Sequence, residues 1–207
     1  MELTEAEAKF IASYNYIDFA IWGSEQAEIK SIRAKIKRHL LEKQDYTCCY
    51  CRQRRYDAHS ATWDIDHIAP KSRNPHFLFE INNLALSCKE CNISKSENET
   101  LKYKRKKYPS NGAPFKIVHP HYDNYTDHIE IFELGKTVLY RVKNKDKGRA
   151  TYSMCNLVRF DYEYGGWKDF GGELVSSVLG YIDALEPEST LEDFRAILPV
   201  LMRAAKK

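Results

Sequence analysis

Between Cys48 and Asn92 the chain gathers the side chains best suited to metal chemistry. Cys48-x-x-Cys51 and Cys88-x-x-Cys91 are two pairs of thiols, with Asp64, Asp66, His67, Asn83 and Asn92 between or beside them. Two residues between paired thiolates let both sulfurs reach one ion from a single tight turn. Two such pairs a few dozen residues apart have the spacing of a tetrahedral four-cysteine zinc site. The alternatives for these thiols are buried free cysteines or a redox pair. The groups between the pairs differ in kind: an imidazole, carboxylates and amides are what binds a hard cation and activates a water. Cys49 adjoins the first pair at the wrong spacing and Cys155 is isolated, so both read as packed or exposed thiols.

The elements that must hold these groups follow from the pattern around them. Residues 46–51 read as a strand entering a metal knuckle. Residues 62–68 alternate large apolar and acidic residues, the pattern of a half-buried strand with Trp63, Ile65 and His67 on one face and Asp64 and Asp66 on the other. Pro70 ends it, 71–80 reads as a loop, and 83–87 as a short strand or turn. A helix over 92–107 then begins with Asn92 near its N-terminus and stops before Pro109, giving the order strand, loop, strand, helix. Upstream, the capping box Thr4-x-x-Glu7 and the helical spacing of Phe10, Tyr14, Ile17 and Ile21 predict one helix closed at Gly23. A second helix carries Ile29, Ile32, Ile36 and Leu40, with Lys30, Arg33, Lys37 and Arg38 as its solvated surface. Downstream, 109–114 reads as a linker, and 129–133 with 137–142 as a β-hairpin. Gly165-Gly166 and Gly171-Gly172 punctuate a loop, and helices close the chain near 173–185 and 190–206, the last bent at Pro199.

Asp66-His67, Asn83-Leu84 and Cys88-x-x-Cys91-Asn92-x-x-Lys95 together resemble the signature of the HNH endonucleases, in the cysteine-flanked form with a structural zinc. The resemblance covers residues 46–107. It implies an α+β fold: a small ββα-metal core with zinc knuckles over 46–108, flanked by an N-terminal helical region (1–45) and a C-terminal hairpin-plus-helices region (109–207). Many members have histidine at the position of Asn92; the amide oxygen of asparagine still suits Mg²⁺.

Residue roles follow from the chemistry of phosphodiester hydrolysis. The nucleophile must lose a proton near neutral pH, and neutral imidazole has the right basicity, which makes His67 the candidate general base. A divalent cation, Mg²⁺ or Mn²⁺, stabilises the charge on the expelled 3′-oxygen. Asp66 and Asn92 supply oxygen ligands to it, and Asp64 either joins them or fixes the loop. By resemblance Asn83 hydrogen-bonds across the loop and holds the His67 segment, with the adjacent Asn82 as the alternative in this register. Lys95, one helical turn beyond Asn92, is in place to contact a phosphate. Lys102, Lys104, Arg105, Lys106 and Lys107 put five positive charges into six residues directly after the block, as a nucleic-acid contact or a solvated helix end. His39, His59 and His76 read as surface residues. His119 and His121 form a thin candidate for a second metal site, lacking any cysteine.

The flanks carry a second resemblance. From Ile117-Val118-His119-Pro120 through the hairpin to Asn156-Leu157, the chain is similar to the tail of the PtuB-type HNH proteins of Septu-like anti-phage systems. That implies an ABC/SMC-type ATPase partner that holds or triggers the nuclease, with the helical flanks as docking surfaces. The alternative is a non-catalytic zinc module that binds nucleic acid or scaffolds a complex. The joint presence of Asp66, His67, Asn83 and Asn92 favours the nuclease, because a pure binding module needs none of the four.

Composition sets outer bounds. At 207 residues, 43% hydrophobic and 29% charged, the chain is globular and can bury one core plus a metal-stapled subdomain. The formal charge of +3 is too mild to name a partner. No segment reaches the roughly 18 uninterrupted apolar residues of a membrane span. Glu2, Glu5 and Glu7 replace the basic start of a signal peptide, so the expected location is the cytoplasm, where paired thiols favour metal over disulfide.

Overall fold

The chain opens with its capping box formed. In a computed structural model describing residues 2–57, 61–134, 137–143 and 146–160, Thr4 caps helix α1 (Glu5–Ala12) and Glu7 reaches back to the Thr4 amide at 2.7 Å. The helix ends well before Gly23. Asn15 takes the chain out of it, its Oδ1 accepting the amides of Ile17 and Asp18 at 2.9 and 3.0 Å, with Tyr16 in the left-handed region at φ 62°. An asparagine that bonds the backbone two and three residues on offers a turn in competition with the helix, and here it overrides the periodicity of Tyr14, Ile17 and Ile21. Asp18 then caps a 3-10 turn over Phe19–Gly23.

Helix α2 (Ala27–Lys43) follows the expected spacing and buries Ile29, Ile32, Ile36, Leu40 and Leu41. Glu7 ties α1 to it: the buried carboxylate accepts from Ser31 Oγ at 2.6 Å and Lys35 Nζ at 2.7 Å. The Lys35 bond first, then Ser31 and the Thr4 amide, hold the Glu7 carboxyl down at about 2 from an ordinary 4.5. A carboxylate depressed by folding gives stability that is complete above pH 4.5 and lost as the pH falls toward 2. Glu7→Gln is therefore expected to flatten the acid limb of the stability curve in that window. Urea melts in a pH series would check it, and an acid limb unchanged from wild type would remove Glu7 as its source.

The core sheet is a single antiparallel pair, β1 (Trp63–His67) and β2 (Leu84–Cys88), registered Trp63↔Cys88, Asp66↔Ala85 and His67↔Leu84. α2 packs along both strands. Lys37 Nζ donates to Trp63 O at 2.9 Å, and the Gln44 amide clasps the β2 backbone, accepting the Leu86 N–H at 2.7 Å and donating to Leu86 O at 2.9 Å. Residues 46–51 are not a strand. Thr47 makes one isolated bridge to Arg54, and 48–51 turn tightly between left-handed residues at Tyr46 and Arg52.

Helix α3 (Lys89–Lys95) follows β2 without a break. It starts three residues earlier than expected and ends where Ser96 adopts φ 49°, so Asn92 lies inside it and the basic run 102–107 lies beyond it. That run is an exposed, irregular segment; the chain then folds back through Leu101↔Phe115. Residues 109–114 make a close turn at buried Gly112, where any Cβ would strike the Asp123 carboxylate.

Contacts divide the chain into two compact units, Met1–Asp123 and Asn124–Lys207. In the second, the expected hairpin is present as β3 (Ile129–Leu134) and β4 (Thr137–Val142), followed by α4 (Lys147–Met154). Arg141 on β4 pairs with Glu130 across the hairpin. The glycine-punctuated loop and the helices expected over 173–185 and 190–206 lie outside the described residues, as does His59. Among the described residues the architecture is thus α+β, with small antiparallel sheets and short helices. No helix among them is long and apolar enough to cross a membrane.

Candidate active site and cysteine centre

The two knuckles close on one point. The sulfurs of Cys48, Cys51, Cys88 and Cys91 all lie within 4.8 Å of one another and all four residues are buried. Cys51 and Cys88 Sγ are 3.9 Å apart, close to the edge of a tetrahedron with about 2.3 Å metal–sulfur bonds. Burial pushes the Cys48 thiol up, but hydrogen bonds from Cys49, Cys51, Cys88 and Cys91 outweigh it and hold Cys48 well below the ordinary thiol range. The Cys88 amide also donates to Cys48 Sγ at 3.3 Å. A closed, all-sulfur shell fits one soft or borderline divalent ion such as Zn²⁺. Cys49, though buried beside the centre, is not a member; its amide instead bonds Leu86 O at 3.0 Å. Among the described residues no other cluster of three or more histidines, cysteines and acids brings its ligand atoms this close together.

α3 carries the next layer, because it starts at Cys88 and includes Cys91. It lies on the acidic face of β1, so that face is covered, not solvated. Asn92 Nδ2 donates to Asp64 Oδ2 at 2.9 Å, and Lys95 Nζ donates to Asp66 Oδ1 at 2.9 Å and to His67 O at 2.9 Å. Asp66 Oδ2 accepts from the phenol of Tyr50, which sits inside the first cysteine turn. Sequence reasoning passed over Tyr50; its place between two zinc-spaced cysteines was the available signal. Asn92 and Asp66 do not touch among the described residues. Carboxylate and amide oxygens are the hard donors that Mg²⁺ takes, with one or two carboxylates and several retained waters.

The Lys95 and Asp66 side chains are almost fully buried, at 1% and 5% exposure. Removing one partner of such a pair strands the other charge, at a cost of about 3–5 kcal/mol. Lys95→Met is expected to lower the urea midpoint accordingly in protein without added magnesium. Wild-type stability in that variant would mean that Asp66 is neutralised by something else.

His67 lies on the opposite face of β1, 4% exposed. Its Nε2 meets Leu78 O at 3.0 Å; a carbonyl only accepts, so Nε2 carries the proton and Nδ1 keeps the basic lone pair. The edge of Trp22 closes over the ring, centroids 4.5 Å apart, and Arg33 holds the Trp22 carbonyl at 2.8 Å. Burial first, then the Lys71 ammonium, push the His67 pKa down to about 3. Trp22 in this role was also invisible in the sequence, because its partner is 45 positions away.

Asn83 is the rivet of the loop after His67. Fully buried, it accepts the Ala69 amide at 2.7 Å and donates to Ala69 O and Phe77 O, both at 3.1 Å, while its own carbonyl accepts the Ile68 amide at 2.8 Å. Asn82 is exposed; its amide and side chain bond the Glu80 carboxylate, and its carbonyl accepts the Tyr108 hydroxyl at 3.0 Å. Lys102, Lys104, Arg105, Lys106 and Lys107 are exposed on a segment tied to the loop beyond His67, where His76 Nε2 donates to Arg105 O at 2.7 Å. His119 and His121 engage three of their ring nitrogens within the protein: His119 Nδ1 accepts the His121 amide and Nε2 bonds the Tyr108 phenol at 2.9 Å, while His121 Nε2 donates to Leu84 O at 2.8 Å.

Residues 48–98, which hold the short antiparallel pair, the helix laid on it and the cysteine centre at their joint, match the family model for HNH endonuclease. Over 161 residues, 77% of its length, the chain is 29% identical to the Septu protein PtuB from Bacillus thuringiensis, of which the match covers 52%. The chain thus spans about half the length of that curated relative. No solved structure matches it.

Proposed function

We propose that the protein is a metal-dependent HNH endonuclease that hydrolyses nucleic-acid phosphodiester bonds, with His67 as general base. The observation that carries this reading is the strand end at 64–67. There a neutral imidazole with one free nitrogen and a set of hard oxygen donors emerge within four residues, braced by Asn83 and backed by the cysteine centre. A binding module has no use for that combination. Asp66 and Asn92, with Asp64, would hold the catalytic Mg²⁺ or Mn²⁺, and the four cysteines a structural Zn²⁺. When bound, the catalytic cation supplies Lewis-acid stabilisation of the charge on the departing 3′-oxygen. His67 Nδ1 accepts the proton of the attacking water, and the Leu78 carbonyl keeps the ring in the tautomer that allows it. Lys95, freed from Asp66, has the length and charge to meet a phosphate oxygen, and the 102–107 run neutralises the backbone beyond it.

The His67 environment also supports control by a partner. A base at about pKa 3 under a tryptophan edge is both weak and covered, which suits a latent nuclease released on demand. On this reading the protein is an effector of anti-phage defence governed by an ABC/SMC-type ATPase in the cytoplasm, and the likeness to the Septu protein PtuB supports the defence setting. The test is cleavage of plasmid, single-stranded DNA and total RNA with Mg²⁺ or Mn²⁺, with and without the ATPase encoded alongside. Cleavage of any substrate in either condition, abolished by chelating the added cation, supports the reading. No cleavage in both, with nucleic acid still bound, would favour the zinc-binding scaffold.

A further inference from the structure

Asp66 is held from two sides, and the two holders are different in kind. Lys95 on α3 takes Oδ1 with a charged ammonium that also bonds His67 O. Tyr50 takes Oδ2 with a phenol whose ring is wholly buried and whose backbone belongs to the turn between Cys48 and Cys51. That turn is fixed three times over: Cys48 and Cys51 belong to the sulfur cluster, the Cys48 amide bonds Gln53 O at 3.1 Å, and the Cys49 amide bonds Leu86 O at 3.0 Å on β2. A cation arriving at Asp66 repels the Lys95 ammonium, so Oδ1 changes partners. The neutral phenol has no reason to leave Oδ2.

We propose that Tyr50 is a positioning residue for the catalytic cation: set in the cysteine turn, its phenol fixes the Asp66 carboxylate while Lys95 gives way. This rests on the reading of Asp66 as a cation ligand. A carboxylate free to rotate must lose that freedom on binding, whereas one already oriented by a hydrogen bond has lost it on folding. The same bond delocalises little charge away from Oδ1, because a phenol is a weak acid beside a carboxylate.

The experiment is calorimetric titration of zinc-loaded wild type and Tyr50→Phe with Mn²⁺, in the absence of nucleic acid. Phenylalanine keeps the ring and removes only the hydroxyl. The expected result is Mn²⁺ affinity about 10- to 100-fold weaker in Tyr50→Phe, as for other outer-shell partners, with zinc content unchanged at one per chain. A purely structural role would lower the melting temperature and leave the affinity of the folded fraction as in wild type, which would overturn the proposal while leaving the nuclease reading in place. A wild type that binds no Mn²⁺ outside the cysteine centre would overturn both. Should Tyr50→Phe fail to fold, wild type labelled with ¹³Cζ-tyrosine carries the test. The Tyr50 resonance is then expected to shift with added Mg²⁺, and a resonance that ignores the cation overturns the assignment.

Discussion

His67→Ala is expected to leave a folded, zinc-replete protein that no longer cuts nucleic acid. The loss should be about 10²- to 10⁴-fold, the usual contribution of a positioned general base. Folding survives because the anchors of the surrounding loop are not on the histidine side chain: Asn83 holds Ala69 and Phe77, and Thr100 Oγ donates to Ile68 O at 2.7 Å. Unchanged cleavage in the variant would remove His67 as the base. A second readout separates this side chain from any contaminating nuclease. Burial keeps His67 neutral, with a pKa lowered from 6.5 to about 3, so the folded state binds fewer protons than the unfolded one between those values. The sign of the linkage is then fixed. Stability from this group is complete above pH 6.5 and falls as the pH drops toward 3, at up to about 1.4 kcal/mol per pH unit. His67→Ala should lose that slope along with its activity.

Breaking the cysteine centre should do more damage by a different route. Cys88→Ser removes a ligand from a site of a type whose metal contributes about 10–16 kcal/mol in small zinc domains, against a net stability of about 5–15 kcal/mol for a whole domain. Cys88 is also the last residue of β2, the cap of α3 and the partner of Trp63 across the sheet. Its loss therefore unfastens strand and helix together. The expected outcome is substoichiometric zinc, poor solubility and no cleavage, read by metal content and by the soluble fraction after expression. Full retention of zinc and solubility would sink the staple assignment.

Much of this was legible before any coordinates. The convergence of the four cysteines follows from their spacing, and the α2 stripe of Ile29, Ile32, Ile36 and Leu40, the two core strands and the β3–β4 hairpin follow from periodicity and alternation. What escaped was decided by single side chains acting on the backbone or by distant contacts. The Asn15 turn ended α1 early, Ser96 ended α3 early, and the closed turn at 48–51 replaced a strand. The partners of the candidate site residues also escaped. Tyr50 and Trp22 reach the site from 16 and 45 positions upstream of Asp66 and His67, and no local pattern encodes such pairings.

The join of cysteine centre and active face on α3 also limits how this sequence can change in length. Cys91, Asn92 and Lys95 each owe their targets to their angular position around one short helix axis: the sulfur cluster, Asp64 and Asp66. One residue inserted between Cys91 and Lys95 turns everything beyond it by about 100°, swinging Lys95 away from β1 while Cys91 stays put. One inserted between Cys88 and Cys91 breaks the tight turn instead. Drift among relatives should therefore substitute the exposed positions Lys89, Glu90 and Ile93 but neither add nor delete residues in 88–95, leaving insertions to the exposed segment from Ser96 onward.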